Sequence, residues 1–248
     1  MTAGPKILDA YGRQAQLLPA LIALLPIFLV AGTALPWTNR IGAGLLVSAI
    51  GGGLTVLLAH VARRLGRQAE TRLLAEWGGK PTTIWLRHSD DHLDGHTKDR
   101  YKTFLARRVT GWEPPTRDEE VAQPTAADER YDSAVRWLLE HARSQERFPR
   151  VFRENVSYGF RRNLYGLRPV GTVLALAGLV MGLAFLGIPS FKASSLPVLL
   201  LSQIVVSAGL LGVWRLVVDG SWVRDAGDAY AKELLATCEQ VVTRTKAK

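Results

Sequence analysis

Three histidines stand four residues apart, at His88, His92 and His96, with Asp90, Asp91 and Asp94 between them. On a helix the three imidazoles would share one face, an arrangement that suits a transition metal. A membrane-tethered metal hydrolase using His88, Asp91 and His92 follows as one reading. The spacer residues oppose it. Ser, Asp, Asp and Gly favour a turn, Gly95 would end a helix, and a structural zinc site would lack its usual cysteines. The stretch therefore reads as a solvated turn with no metal, and the chain as a non-enzyme with no cofactor. No P-loop or dinucleotide fingerprint is present.

A second stretch carries different chemistry. Residues 147–168 place arginines at 147, 150, 153, 161, 162 and 168 among Phe148, Phe152, Tyr158, Phe160 and Tyr165, with Glu154 as the sole carboxylate. One account is the basic flank of a membrane helix, with arginines at lipid headgroups and rings at the interface. The other is an anion site. Arg153, Arg161, Arg162 and Arg168 would clamp phosphates, while Tyr158 and Phe160 would stack bases of a nucleotide or a single-stranded nucleic acid. The formal net charge of +9 supports both accounts and separates neither.

The elements that must position these residues come from the hydropathy pattern. Four windows lack charged side chains: 17–37, 41–61, 169–190 and 193–214. Each has the length needed to span about 30 Å of hydrocarbon as a helix. Pro19 and Pro26 in the first window should bend or loosen it. Residues 62–168 instead hold 21 Lys/Arg and 16 Asp/Glu. The two short connections between windows carry Arg40 and Lys192. The opposite flanks carry Lys6, Arg13, Arg63, Arg64, Arg67, Arg72, Arg161, Arg162, Arg168, Arg224 and Lys232. This asymmetry orients the termini and the middle toward the cytoplasm.

The expected fold is an all-α membrane protein. Two transmembrane hairpins (1–67 and 166–219) enclose a cytoplasmic helical domain (68–165), and a cytoplasmic helical tail follows (220–248). A cleaved signal peptide ending near Ala31-Gly-Thr-Ala34 is the rival reading of the first window, but it would leave an odd number of spans. Cys238, the single cysteine, can form no intrachain disulfide. The Asn155-Val-Ser157 sequon has no role on the cytoplasmic side.

Within the windows, Gly44, Ser48 and Gly52 share one face, and Gly171, Gly178 and Gly182 punctuate the third span. Such small residues let helices approach closely or line a pore. Gln203 and Ser207 share a face of the fourth span, where a buried amide needs a partner or water; both are candidates for pore lining or helix contact. No run of intramembrane carboxylates supports a proton-coupled pump. Two hairpins are too few to enclose a wide path alone, so a conducting form would be a homo-oligomer. In the middle segment, 97–109 shows helical spacing, and Thr116/Glu119 and Thr125/Asp128 resemble capping boxes. Tyr131, Val135, Leu138 and Ala142 form one stripe, and Tyr230, Leu234, Cys238, Val241 and Val242 another that should dock on something.

Two stretches taken together carry a family resemblance. One is Pro81-Thr-Thr-Ile-Trp-Leu-Arg-His-Ser-Asp90 with Thr97-Lys-Asp-Arg-Tyr-Lys-Thr-Phe-Leu105. The other is Asn155-Val-Ser-Tyr-Gly-Phe-Arg-Arg-Asn-Leu-Tyr-Gly-Leu-Arg-Pro169. With the two-hairpin layout they resemble the four-helix bacterial membrane effectors of nucleotidyltransferase-linked anti-phage defence, the Hailong B-like group. The resemblance implies a channel in the bacterial inner membrane. It also implies a nucleotidyltransferase partner whose short single-stranded DNA product binds the effector and keeps it closed. Loss of that ligand during infection would depolarise the cell. The family's ligand contacts carry over only to the Tyr158–Arg168 motif. The alternative function is a non-conducting membrane scaffold that recruits a cytosolic partner.

Overall fold

The computed structural model describes residues 10–34, 40–188 and 197–245, with side chains described for 10–34, 50–188 and 198–239. Among these residues every regular element is helical. They are α1 (Ala10–Ala34), α2 (Arg40–Trp77), α3 (Pro81–Ile84), α4 (Gly95–Arg108), α5 (Arg117–Ala122), α6 (Pro124–His141), α7 (Pro149–Leu186), α8 (Pro197–Leu216) and α9 (Gly220–Thr245). By length and composition α1, α7 and α8 can each cross a membrane, which marks the chain as a membrane protein. The 41–61 window lies in α2, and its first nine residues are outside the described side chains. The chain divides into two compact units, 1–70 with 159–223 and 71–158 with 224–248.

The first unit packs α1, α2, α7 and α8 around Ala23, Ala62, Leu164, Leu167, Ala175, Trp214 and Val218. Much of its outer surface is apolar, with Val173, Leu183, Val198 and Val205 more than half exposed, as a lipid-facing helix requires. In α1 a π turn spans Arg13–Leu17, just before Pro19. Proline has no N–H, so Pro19 gives nothing to the Ala15 carbonyl four residues back. Asn163 of α7 supplies a donor, its Nδ2 lying 2.6 Å from that oxygen in a fully buried site. The proline-loosened turn of one helix is thus tied to a side chain of another.

Two helix crossings depend on glycine. A Cβ at Gly166 of α7 would lie 2.4 Å from the Gly66 amide nitrogen and 2.6 Å from the Leu65 carbonyl carbon, so α2 and α7 meet backbone to backbone. A Cβ at Gly178 would lie 2.7 Å from Pro26 of α1 and 2.8 Å from Ser207 of α8. Small residues at these points allow the close approach that dispersion between membrane helices needs.

The second unit is a small helical core. Tyr131, Val135 and Leu138 of α6, with Ala142 just past its end, are buried against Tyr101, Phe104 and Leu105 of α4 and against Leu234, Leu235 and Cys238 of α9. The C-terminal stripe therefore docks into the same core as the middle segment; Val241 and Val242 lie outside the described side chains. Burial raises the Cys238 thiol to about 12 and keeps it a small apolar group. Thr116 and Glu119 form the expected capping box at α5. Thr125 and Asp128 do not. Pro124 occupies the first position of α6, so the helix begins from Gln123 and Thr125 falls inside its first turn. Asp128 instead accepts from Nε and Nη2 of Arg87, at 2.8 and 2.6 Å. Gly95 opens α4 rather than ending a helix, because the preceding Asp94 caps it by accepting the Thr97 amide at 2.9 Å.

Candidate functional site

The basic, aromatic stretch divides between the two units. In the second unit, the Arg147 guanidinium lies 5.6 Å from the Phe148 ring centre, and Arg153 pairs with Glu154 at 3.2 Å. Tyr158 stacks parallel to Tyr230 at 6.4 Å. In the first unit, Phe160 meets Trp222 edge-on at 6.3 Å. Arg161 donates to the Trp222 carbonyl at 2.8 Å while its guanidinium covers the Trp222 ring at 4.9 Å. Arg162 pairs with Glu70 of α2 at 2.9 Å, with both side chains mostly buried. Arg168 donates to the carbonyls of Trp214 and Arg215, at 2.9 and 3.4 Å. Those carbonyls end α8 and lack helical donors of their own, so Arg168 caps that helix from its neighbour.

Each proposed phosphate clamp in the first unit thus already holds an oxygen of the protein. Arg161 and Arg168 spend one or two of their five N–H donors on these contacts and retain capacity for an anion. Phe160, Arg161 and Trp222 gather at one point, Arg168 joins the end of α8, and Arg153 and Tyr158 belong to the other unit.

Gln203 and Ser207 are both fully buried. The Gln203 amide donates to the Gly178 carbonyl at 2.9 Å and accepts from Thr33 at 2.9 Å, joining α1, α7 and α8 through one side chain. Shared amide bonds of this kind fasten helices in lipid. Ser207 faces Gly178 with its hydroxyl unpaired among the described residues. Gly52 has nothing within 4 Å and lines an open apolar groove of about 490 Å³ with Leu17, Leu21, Phe28, Gly51, Thr55 and Val56. Gly44 and Ser48 fall outside the described side chains.

The histidine stretch is a turn. His88 Nε2 lies 3.0 Å from both the Pro115 carbonyl and Lys102 Nζ. His92 pairs with Asp90 at 2.8 Å and stacks on Trp85 at 4.9 Å, while His96 sits in the first turn of α4. Among the described residues no three His, Cys, Asp or Glu side chains are grouped to hold a metal.

Around His88 lies a network that the sequence reading missed. Glu120 accepts from the His88 amide at 3.0 Å, from Ser89 at 3.3 Å and from the Tyr131 hydroxyl at 3.0 Å. Burial alone would raise its pKa, but these donors outweigh burial and hold it below the ordinary value. Burial also raises the Tyr131 phenol, with the Glu120 charge adding to it. Lys102 is 4% exposed and sits 5.3 Å from the Tyr131 ring centre. The available signal was the spacing of Lys98, Tyr101, Lys102 and Leu105, which puts two lysines on an apolar helix face.

Lys102 yields a pH prediction. Burial lowers it from the ordinary 10.5 to about 8. Between those values the unfolded chain keeps a proton that the folded chain has released, so the folded state gains stability as pH rises through that window. Lys102→Met removes the gain. Melting profiles of wild type and variant in detergent should diverge across the window, with wild type rising relative to the variant; parallel profiles would mean that the ammonium is not desolvated.

No protein-family model, no curated protein and no solved structure matches this chain.

Proposed function

We propose that the protein is an oligomeric channel of the bacterial inner membrane, gated from the cytoplasm by an anionic nucleotide or single-stranded nucleic acid in anti-phage defence. Four crossings in two hairpins with both termini cytoplasmic are part of the proposal. A nucleotidyltransferase would be the partner that makes the ligand.

One observation carries the reading. Arg161, Arg162 and Arg168 stand on the same uninterrupted helix as an apolar span, and their guanidiniums hold the Trp222 carbonyl, the Glu70 carboxylate and the end of α8. An anion that recruits these guanidiniums competes with the contacts that fasten α2 and α8 to α7. Binding would therefore bias the arrangement of the span-forming helices. It does so only by its differential affinity for the two states, so a ligand that holds the channel shut must bind the shut state more tightly.

The test is ion flux from liposomes carrying the purified protein, with and without a short single-stranded oligodeoxynucleotide. We expect flux from wild type that the oligonucleotide suppresses. The Arg161→Gln/Arg168→Gln variant should conduct and lose at least about tenfold in oligonucleotide sensitivity, the loss expected for charge-assisted hydrogen bonds. Absence of flux under all conditions would leave the membrane scaffold as the reading. Unchanged sensitivity in the variant would remove these arginines from the ligand site.

A further inference from the structure

A cavity of about 150 Å³ opens in the second unit, between the ends of α4 and α6, the turn before α7 and one face of α9. Its described walls include Arg108, Trp137, His141, Arg147, Phe148 and Thr237, and no carboxylate is among them. One of the basic groups has a local reason. Arg108 lies in the last turn of α4, where a cation offsets the negative end of the helix dipole, and His141 lies in the last turn of α6. Arg147 does not share that reason. It comes from the turn before α7, stacks over Phe148, and makes no ion pair among the described residues. It thus brings a second guanidinium into a concave site, which concentrates positive potential there.

The walls are also preorganised. Trp137 and His141 stack at 3.8 Å, and His141 Nδ1 is tied to the Trp137 carbonyl at 2.8 Å, which fixes the orientation of the ring. A guanidinium held on a ring face keeps its fork of N–H donors directed, which matches the oxygens of a phosphate group better than a flexible ammonium would. The volume holds several waters, enough for a phosphate group with some of its water.

We propose that this cavity is a phosphate-binding site that receives the phosphate group of a small ligand while the rest of that ligand stays outside its mouth. The site is separate from the gating arginines and stands whether or not the protein conducts, since binding is read without ion flux. The phosphate could belong to a soluble nucleotide or to an anionic lipid headgroup.

Titration calorimetry on the full-length protein, with AMP and with adenosine, tests the site. AMP should bind and adenosine should not. Arg147→Ala should weaken AMP by at least about tenfold, the loss expected for a charge-assisted contact. Arg136→Ala, an exposed α6 residue outside the cavity walls, should bind like wild type. Repeating the AMP titration in nanodiscs distinguishes the sources. Affinity that drops when phosphatidylglycerol replaces phosphatidylcholine assigns the phosphate to a headgroup, and unchanged affinity assigns it to the soluble ligand. Equal binding of AMP and adenosine, no binding of either, or wild-type affinity in Arg147→Ala with an unshifted melting temperature would overturn the proposal.

Discussion

Gly166→Ala is expected to unseat α2 from α7 and to cost more stability than a methyl opposed only by a flexible side-chain end. The added carbon would lie 2.4 Å from one backbone atom and 2.6 Å from another. Neither obstacle is a flexible side-chain end, so the helices themselves must separate. Overpacking of this kind costs about 1–3 kcal/mol, and the upper end applies where backbone opposes backbone. Separation also disturbs the neighbouring contact of Gly66 with Asn163, the residue that completes the Pro19 turn. Gly53→Ala is the control, because nothing lies within 4 Å of its added carbon. It should be neutral, or stabilising by up to about 1 kcal/mol through helix propensity. Thermal unfolding of both variants in the same detergent measures the difference. Equal melting temperatures would rule out the close crossing.

The second large effect concerns Arg162 and Glu70. They pair at 2.9 Å with side chains 14% and 22% exposed, so solvent screens them only in part. Arg162→Glu would set two carboxylates against each other in that site. Breaking a largely buried pair costs on the order of 3 kcal/mol, since like charges then face each other where opposite ones did. Exchanging both, as Glu70→Arg with Arg162→Glu, should recover most of the loss, and the coupling in a double-mutant cycle reports the pair itself. If the exchange is no better than the single change, the ion pair is not what joins the two helices. The cycle also guards the interpretation of ligand-binding data, because a charge reversal at Arg162 disturbs the fold before it disturbs an anion.

Much of the architecture was legible from local pattern. Three of the uncharged windows, the Thr116/Glu119 cap and the Tyr131–Ala142 stripe each depend on residues within a few turns of one another. Near-neighbour patterns are written directly into the chain, since the helical period and the bilayer thickness are fixed lengths. The Thr125/Asp128 reading shows where local pattern stops. A proline one residue earlier set the start of the helix, and an arginine 41 residues away took the carboxylate.

The candidate site was legible only as an inventory. Residue types and spacing identified Arg161, Arg162 and Arg168 as cations beside a membrane span. Tertiary structure decided that these cations hold a carbonyl 61 residues away, a carboxylate 92 residues away and the end of α8 46 residues away. It likewise decided that the carbonyl beside Pro19 is met by an amide 148 residues distant, and that Lys102 lies inside a core rather than on a solvated face. The physical reason is the same in each case. Composition determines whether a segment prefers lipid or water, but the partner of a polar group depends on which helices the folded chain brings within 3 Å of it.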